Sequence, residues 1–139
     1  MENRTHYLVD IFQSQEDDGR LIVVEANKNP VPFEIKRIFW IRDIKKGATR
    51  GEHASKKTKQ ILIAINGECD IEVDTGKEKK TYHLADPTKG VYVDEMIWRV
   101  VKNSSDDCIV MAICNHEYEL DNDSYGRYEE FLDALERGE

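Results

Sequence analysis

The stretch Arg50-Gly51-Glu52-His53-Ala54-Ser55-Lys56-Lys57-Thr58-Lys59-Gln60, running into Ile61-Leu62-Ile63-Ala64-Ile65-Asn66-Gly67, decides how the rest of the chain is read. It sets a histidine, an arginine and a lysine-rich turn directly ahead of the most regular apolar strand in the sequence. Asn66-Gly67 closes that strand with the strongest short-range hairpin signal, and Cys69 to Asp74 alternates as the expected return strand.

Working outward, the same short-strand rhythm recurs. Tyr7 to Phe12, Leu21 to Ala26, Phe33 to Arg42, Lys80 to Leu84, Val91 to Val93, Met96 to Val101 and Cys108 to Cys114 read as strands. Turn signals separate them, among them Asp17-Asp18-Gly19, Thr75-Gly76 and Asp86-Pro87. Many short strands at such spacing predict an all-β sandwich or barrel. Only the tail changes period. Tyr128, Phe131, Leu132 and Leu135 follow helical spacing, so residues 124–138 are expected to form one amphipathic helix on a β-barrel of residues 1–123, in a single domain of residues 1–139.

Composition bounds the function. The 139 residues carry a net charge of −8, which argues against a nucleic-acid partner, since that needs a basic footprint. No apolar run approaches membrane-spanning length and the N-terminus has no signal-like apolar stretch, so no membrane role and a cytoplasmic location are expected. The three cysteines, Cys69, Cys108 and Cys114, are odd in number and lie in apolar runs without a Cys-x-x-Cys spacing. They read as buried reduced thiols, which suits a reducing compartment.

Within the strand Phe33–Arg42, alternation places Phe33, Ile35, Arg37, Phe39 and Ile41 on one face. Arg37 therefore sits among apolar neighbours. Two readings stand: an arginine at a strand end pairing with a carboxylate, or an anion-binding group reaching into a cavity. His53 likewise is either a hydrogen-bonded structural residue or a proton carrier; the arginines Arg37, Arg50 and Arg99 favour an oxyanion-forming substrate beside it. Tyr92 and Trp98 are core aromatics by pattern, or walls of a base or sugar pocket.

The chain resembles the cupins, whose metal-binding members use an His-x-His pair, a glutamate and a later histidine. Here the corresponding positions read His53, Ser55, Gln60 and Arg99. Three of the four ligands are absent and one replacement is a permanent cation, so no metal and no other cofactor is expected. More closely, the order Phe-x-Ile-Lys-Arg-Ile-Phe-Trp-Ile (33–41), Arg-Gly-x-His-Ala-x-Lys-Lys-x-x-Gln (50–60), Ile-Asn-Gly (65–67), Gly-Val-Tyr-Val (90–93), Trp98 and a terminal Tyr-x-Arg-Tyr-x-x-Phe is similar to the sugar 3,4-ketoisomerase family of cupins. The similarity covers nearly the whole chain.

That resemblance implies a double-stranded β-helix, a dTDP-linked 4-keto-6-deoxy sugar as substrate, and a homodimer with exchanged N-terminal strands. It also implies proton abstraction next to a ketone, an enediolate, and a 3-keto product suited to amino-sugar formation. By the same resemblance His53, Ser55 and Arg99 fall at catalytic positions, and Arg37, Arg50, Gln60, Phe39, Tyr92 and Trp98 at substrate-binding ones. The position of Arg99 is histidine in some members and arginine in others, a choice tied to the face of C4 that receives the proton. Two positions depart from the family pattern: Ser55 where a second histidine is usual, and Phe39 where a tyrosine often stands. Neither side chain titrates near neutral pH. A nucleotide-sugar epimerase and a binding cupin without turnover remain the alternatives.

Overall fold

In the computed structural model, residues 4–118 and 123–138 are described. The chain runs β1 (His6–Asp10), β2 (Phe12–Glu16), β3 (Gly19–Val23), β4 (Arg37–Ile41), β5 (Arg50–Ser55), β6 (Gln60–Asn66) and β7 (Cys69–Asp74). It continues through β8 (Lys79–Leu84), β9 (Lys89–Val93), β10 (Trp98–Lys102), β11 (Ile109–Cys114), β12 (Ser124–Tyr125) and α1 (Tyr128–Glu136). Two five-stranded antiparallel sheets result, ordered β1-β9-β6-β11-β4 and β12-β5-β10-β7-β8, while β2 and β3 form a separate hairpin.

The sheets face each other across one core. Leu62, Ala64, Val91, Val93, Val110 and Ala112 of the first sheet pack against Ile71, Val73, Leu84 and Val101 of the second. The unbroken apolar run of β6 follows from its place. It is the central strand of the first sheet, and its opposite face (Ile61, Ile63) is covered by Val9, Ile11, Val31 and Tyr92.

This is a cupin-like topology of two facing sheets, and no closed barrel is found among the described residues. Among the described residues no strand of one sheet pairs with the other. The edges are blunted rather than joined: β8 exposes Lys79 and Lys80 at its solvent edge.

The expected Asn66-Gly67 hairpin is corrected. Strand β6 is already paired on both sides, by β9 and β11, so β7 finds no free edge there and joins the second sheet. The turn carries the chain between sheets, with Gly67 at φ 67° and so close to Cys108 that a Cβ would lie 2.9 Å from its Cα. The hairpin partner of β7 is β8, through Thr75-Gly76.

The terminal helix is shorter than its periodicity predicts. Ser124 and Tyr125 pair instead with Ser55 and Ala54, and α1 starts at Tyr128. Nine residues are too few for an independent helix. Its stability comes from burying Phe131 and Ala134 against Ala54, Trp98 and Val100 on the outer face of the second sheet. Part of the terminal motif (residues 119–122) lies outside the described residues.

Candidate active site

Alternation along β5 turns His53 and Ser55 inward and Ala54 outward, and on the neighbouring β10 Arg99 inward between Trp98 and Val100. His53 and Arg99 are direct cross-strand partners. Strand β4, at the edge of the facing sheet, contributes Arg37 and Phe39. A cavity of about 460 Å³ opens at this end of the sandwich, walled by Arg37, Phe39, His53 and Ser55. Tyr118, Asp123 and Ser124 also line it. That volume is within the usual range for small-molecule sites.

The Gly51 backbone lies close to the His53 ring and favours its charged form. Gly51 adopts φ 67°, a conformation that favours glycine. Burial, then Arg99 and, more weakly, Arg37 push the imidazole down to about 4, while the Gly51 backbone and Asp123 oppose them. The ring is neutral throughout the physiological range.

Arg99 is 2 % exposed, and burial lowers its guanidinium to about 10, so it stays charged at neutral pH. One nitrogen, Nη2, donates to the carbonyls of Ile97 (3.2 Å) and Asp94 (3.4 Å). Nε and Nη1 have no hydrogen-bond partner among the described residues. A buried cation with donors to spare is costly unless an anion completes it.

Arg37 lies beside two rings, its guanidinium carbon 5.5 Å from the Phe39 centroid and 5.6 Å from that of Tyr118. Phe39 thus presents its ring to a cation.

Asp123 is buried. Its carboxylate accepts from the Lys57 N–H (3.0 Å) and from the Thr58 hydroxyl, and its carbonyl accepts from the Lys56 N–H. Pattern reading missed Tyr118, Asp123 and Ser124. Their place depends on β12 pairing with β5, a contact between distant parts of the chain that no local periodicity announces.

The structure does not bring every expected residue to this cavity. Trp98 points to the opposite face, its ring 6.0 Å from Phe131 and 5.5 Å from Tyr128. Tyr92 lies on the outer face of the first sheet, stacked on Tyr7 at 4.7 Å, with its hydroxyl donating to Asp94. Burial and that acid push its phenol well up. Gln60 is buried against Cys114, Nε2 to Sγ 3.4 Å, and Arg50 is exposed at the start of β5. The cysteines are free and buried. Among the described residues no three His, Cys, Asp or Glu side chains converge in a manner that could hold a metal ion, and no helix is long and apolar enough to cross a membrane.

With this geometry in hand, comparison places the chain among known proteins. A family model described as "FdtA: WxcM-like, C-terminal" matches residues 3–136. The TDP-4-oxo-6-deoxy-alpha-D-glucose-3,4-oxoisomerase of Aneurinibacillus thermoaerophilus is 35 % identical over 131 residues, covering 94 % of this chain and 91 % of its own. The solved structure of a TDP-fucose-3,4-ketoisomerase from Campylobacter jejuni superposes with a TM-score of 0.84 at 36 % identity, covering 93 % of this chain and 94 % of that one. A sugar 3,4-ketoisomerase from Thermoanaerobacterium thermosaccharolyticum, in complex with TDP, gives 0.89 at 28 % identity, covering 96 % of each chain.

Proposed function

The chain belongs to the FdtA, WxcM-like family, and from that premise we infer that its cavity is a sugar 3,4-ketoisomerase active site run by His53. The enzyme converts a dTDP-4-keto-6-deoxyhexose to the 3-keto isomer. In the route proposed, the lone pair of the neutral His53 ring takes the proton from C3. The electrons of that C–H bond form C3=C4, and the carbonyl pair moves onto O4. The hydroxyl proton passes from O3 to O4, C4 receives a proton from the imidazolium, and O3 becomes the ketone. Atoms and charges balance without an outside redox partner.

The observation that carries this reading is the pairing of a neutral, cavity-facing imidazole with the buried, under-bonded Arg99. A cation there favours the oxyanion that forms as the proton leaves. Arg37, beside the rings of Phe39 and Tyr118, is suited to a pyrophosphate or sugar oxygen. Ser55, buried at the cavity wall, is a hydrogen-bonding neighbour and not a base.

A homodimer with exchanged N-terminal strands is part of the same proposal. The β2–β3 hairpin leaves Phe12 66 % and Leu21 55 % exposed. A groove of about 540 Å³ runs along β1 beside Tyr7, Leu8 and Pro32, and β4 turns Ile38 and Trp40 outward. A second copy covering these surfaces would complete the double-stranded β-helix expected of the family. Sedimentation of the wild type and of Trp40→Asp tests it, with a dimer expected for the first and a monomer for the second.

The isomerase is tested by proton NMR of dTDP-4-keto-6-deoxyglucose in deuterated water. Conversion to a 3-keto sugar with deuterium at C4, lost on His53→Asn, is the expected result. Its C4 coupling assigns the configuration. Exchange at C3 without isomerisation would favour an epimerase, and tight dTDP binding without exchange would favour a non-catalytic protein.

A further inference from the structure

His53 sits on a strand with unlike neighbours. On one side, β10 sets Arg99 directly opposite the imidazole. On the other, the chain entering β12 sets Asp123 at the cavity wall. Among the described residues, the charged groups that act on His53 are Arg99 from β10, Arg37 from β4 and Asp123 from this entering segment. Two are cations, which help the sugar oxyanion but oppose the imidazolium formed in the same step. Among the described residues Asp123 is the one acid of the three.

We propose that Asp123 is a positioning residue for the reaction, a buried carboxylate fixed to stabilise the His53 imidazolium while the proton is in transit from C3 to C4. This rests on the reading of His53 as the proton carrier. Its fixation is what distinguishes Asp123 from a surface acid. It is 7 % exposed, and three consecutive residues of the lysine-rich turn bind it: Lys56 through its carbonyl, Lys57 and Thr58 through its carboxylate. Thr58 is itself fully buried, so the hydroxyl can be spared by no competing solvent bond. A carboxylate held this way requires no reorganisation when positive charge develops on the ring. It also gives a chemical role to a turn that is otherwise a solvated lysine loop.

The test compares Asp123→Asn, which keeps the shape and an acceptor for the Lys57 N–H but loses the charge, with Thr58→Val, which keeps the charge and loses one hydrogen bond. Both are assayed on dTDP-4-keto-6-deoxyglucose with hydrogen or deuterium at C3. For Asp123→Asn we expect kcat to fall roughly 10- to 100-fold, with KM within about threefold and a larger C3-deuterium effect on kcat. For Thr58→Val the fall stays under about fivefold. An Asp123→Asn enzyme with wild-type kcat and isotope effect overturns the proposal. So does an equal loss in both variants that tracks a fall in Tm. If Asp123→Asn does not fold, Asp123→Glu, which displaces the charge, takes its place: a kcat loss with a raised isotope effect supports the proposal, and wild-type values overturn it. His53→Asn separates the two inferences. Turnover surviving that change removes the His53 reading itself, whereas a dead His53→Asn beside an indifferent Asp123→Asn removes only the role of the carboxylate.

Discussion

The two faces of the β5–β10 pair differ by a single residue step and by everything else. Inward, His53 and Ser55 line the cavity and the buried, charged Arg99 stands directly across from His53. Outward, Ala54, Trp98 and Val100 form an apolar floor for Phe131 and Ala134 of the terminal helix. One sheet therefore spends its outer face on stability and its inner face on chemistry. The contrast teaches that burial alone does not identify a site: Trp98 and Arg99 are adjacent and both buried, yet they serve opposite ends.

The contrast can be broken first at Trp98. Trp98→Ala should cost about 3–5 kcal/mol of unfolding free energy in urea, while calorimetric affinity for dTDP stays within about twofold in the folded protein. A larger loss of affinity would place the ring in the binding surface after all. Arg99→Met inverts the pattern: kcat should fall on the order of 100-fold, with Tm unchanged or raised, because methionine fills the site without a buried, partly unbonded charge.

Protonation sharpens the same comparison. The native His53 pKa of about 4 lies below the ordinary value of 6.5, so the unfolded chain binds the extra proton first. The contribution of a neutral His53 is present above pH 6.5 and is lost as the pH falls toward 4. Wild-type stability relative to His53→Asn should therefore drop by on the order of 2 kcal/mol across that window, read by denaturant titration at successive pH values. A parallel pair of curves would show that the ring is not buried as described. The smallest effect is expected at Phe39→Tyr, whose ring keeps the Arg37 contact. Its kcat should change less than about threefold, and a large gain would mean that a phenol at this position is the missing proton donor.

Much of this was legible in the sequence. The alternation of β4 correctly grouped Arg37 with Phe39, and the motif around His53 placed it with Ser55 at the cavity. The strand-rich body and the tail helix could be read from period alone. What could not be read were contacts made across the chain. Asn66-Gly67 has the local chemistry of a hairpin, but the neighbours of β6 were already supplied by β9 and β11. Trp98 and Tyr92 carry residue types suited to a pocket, and only sheet placement reveals which face each takes. Asp123 follows the last long strand in a polar stretch that announces nothing until Ser124 meets Ser55.

The interleaved strand order has a temporal side. On the ribosome His53 is made early, whereas Arg99 and then Asp123 follow, the latter seventy residues later. At roughly 5–20 residues per second, several seconds pass before the imidazole can meet its last neighbour. For most of that interval β5 lacks its flanking strand β10, and its other flank stays open until β12 is made. A nascent chain halted before β12 should be unable to assemble the cavity, and a protease present during translation should cut it where the finished enzyme resists.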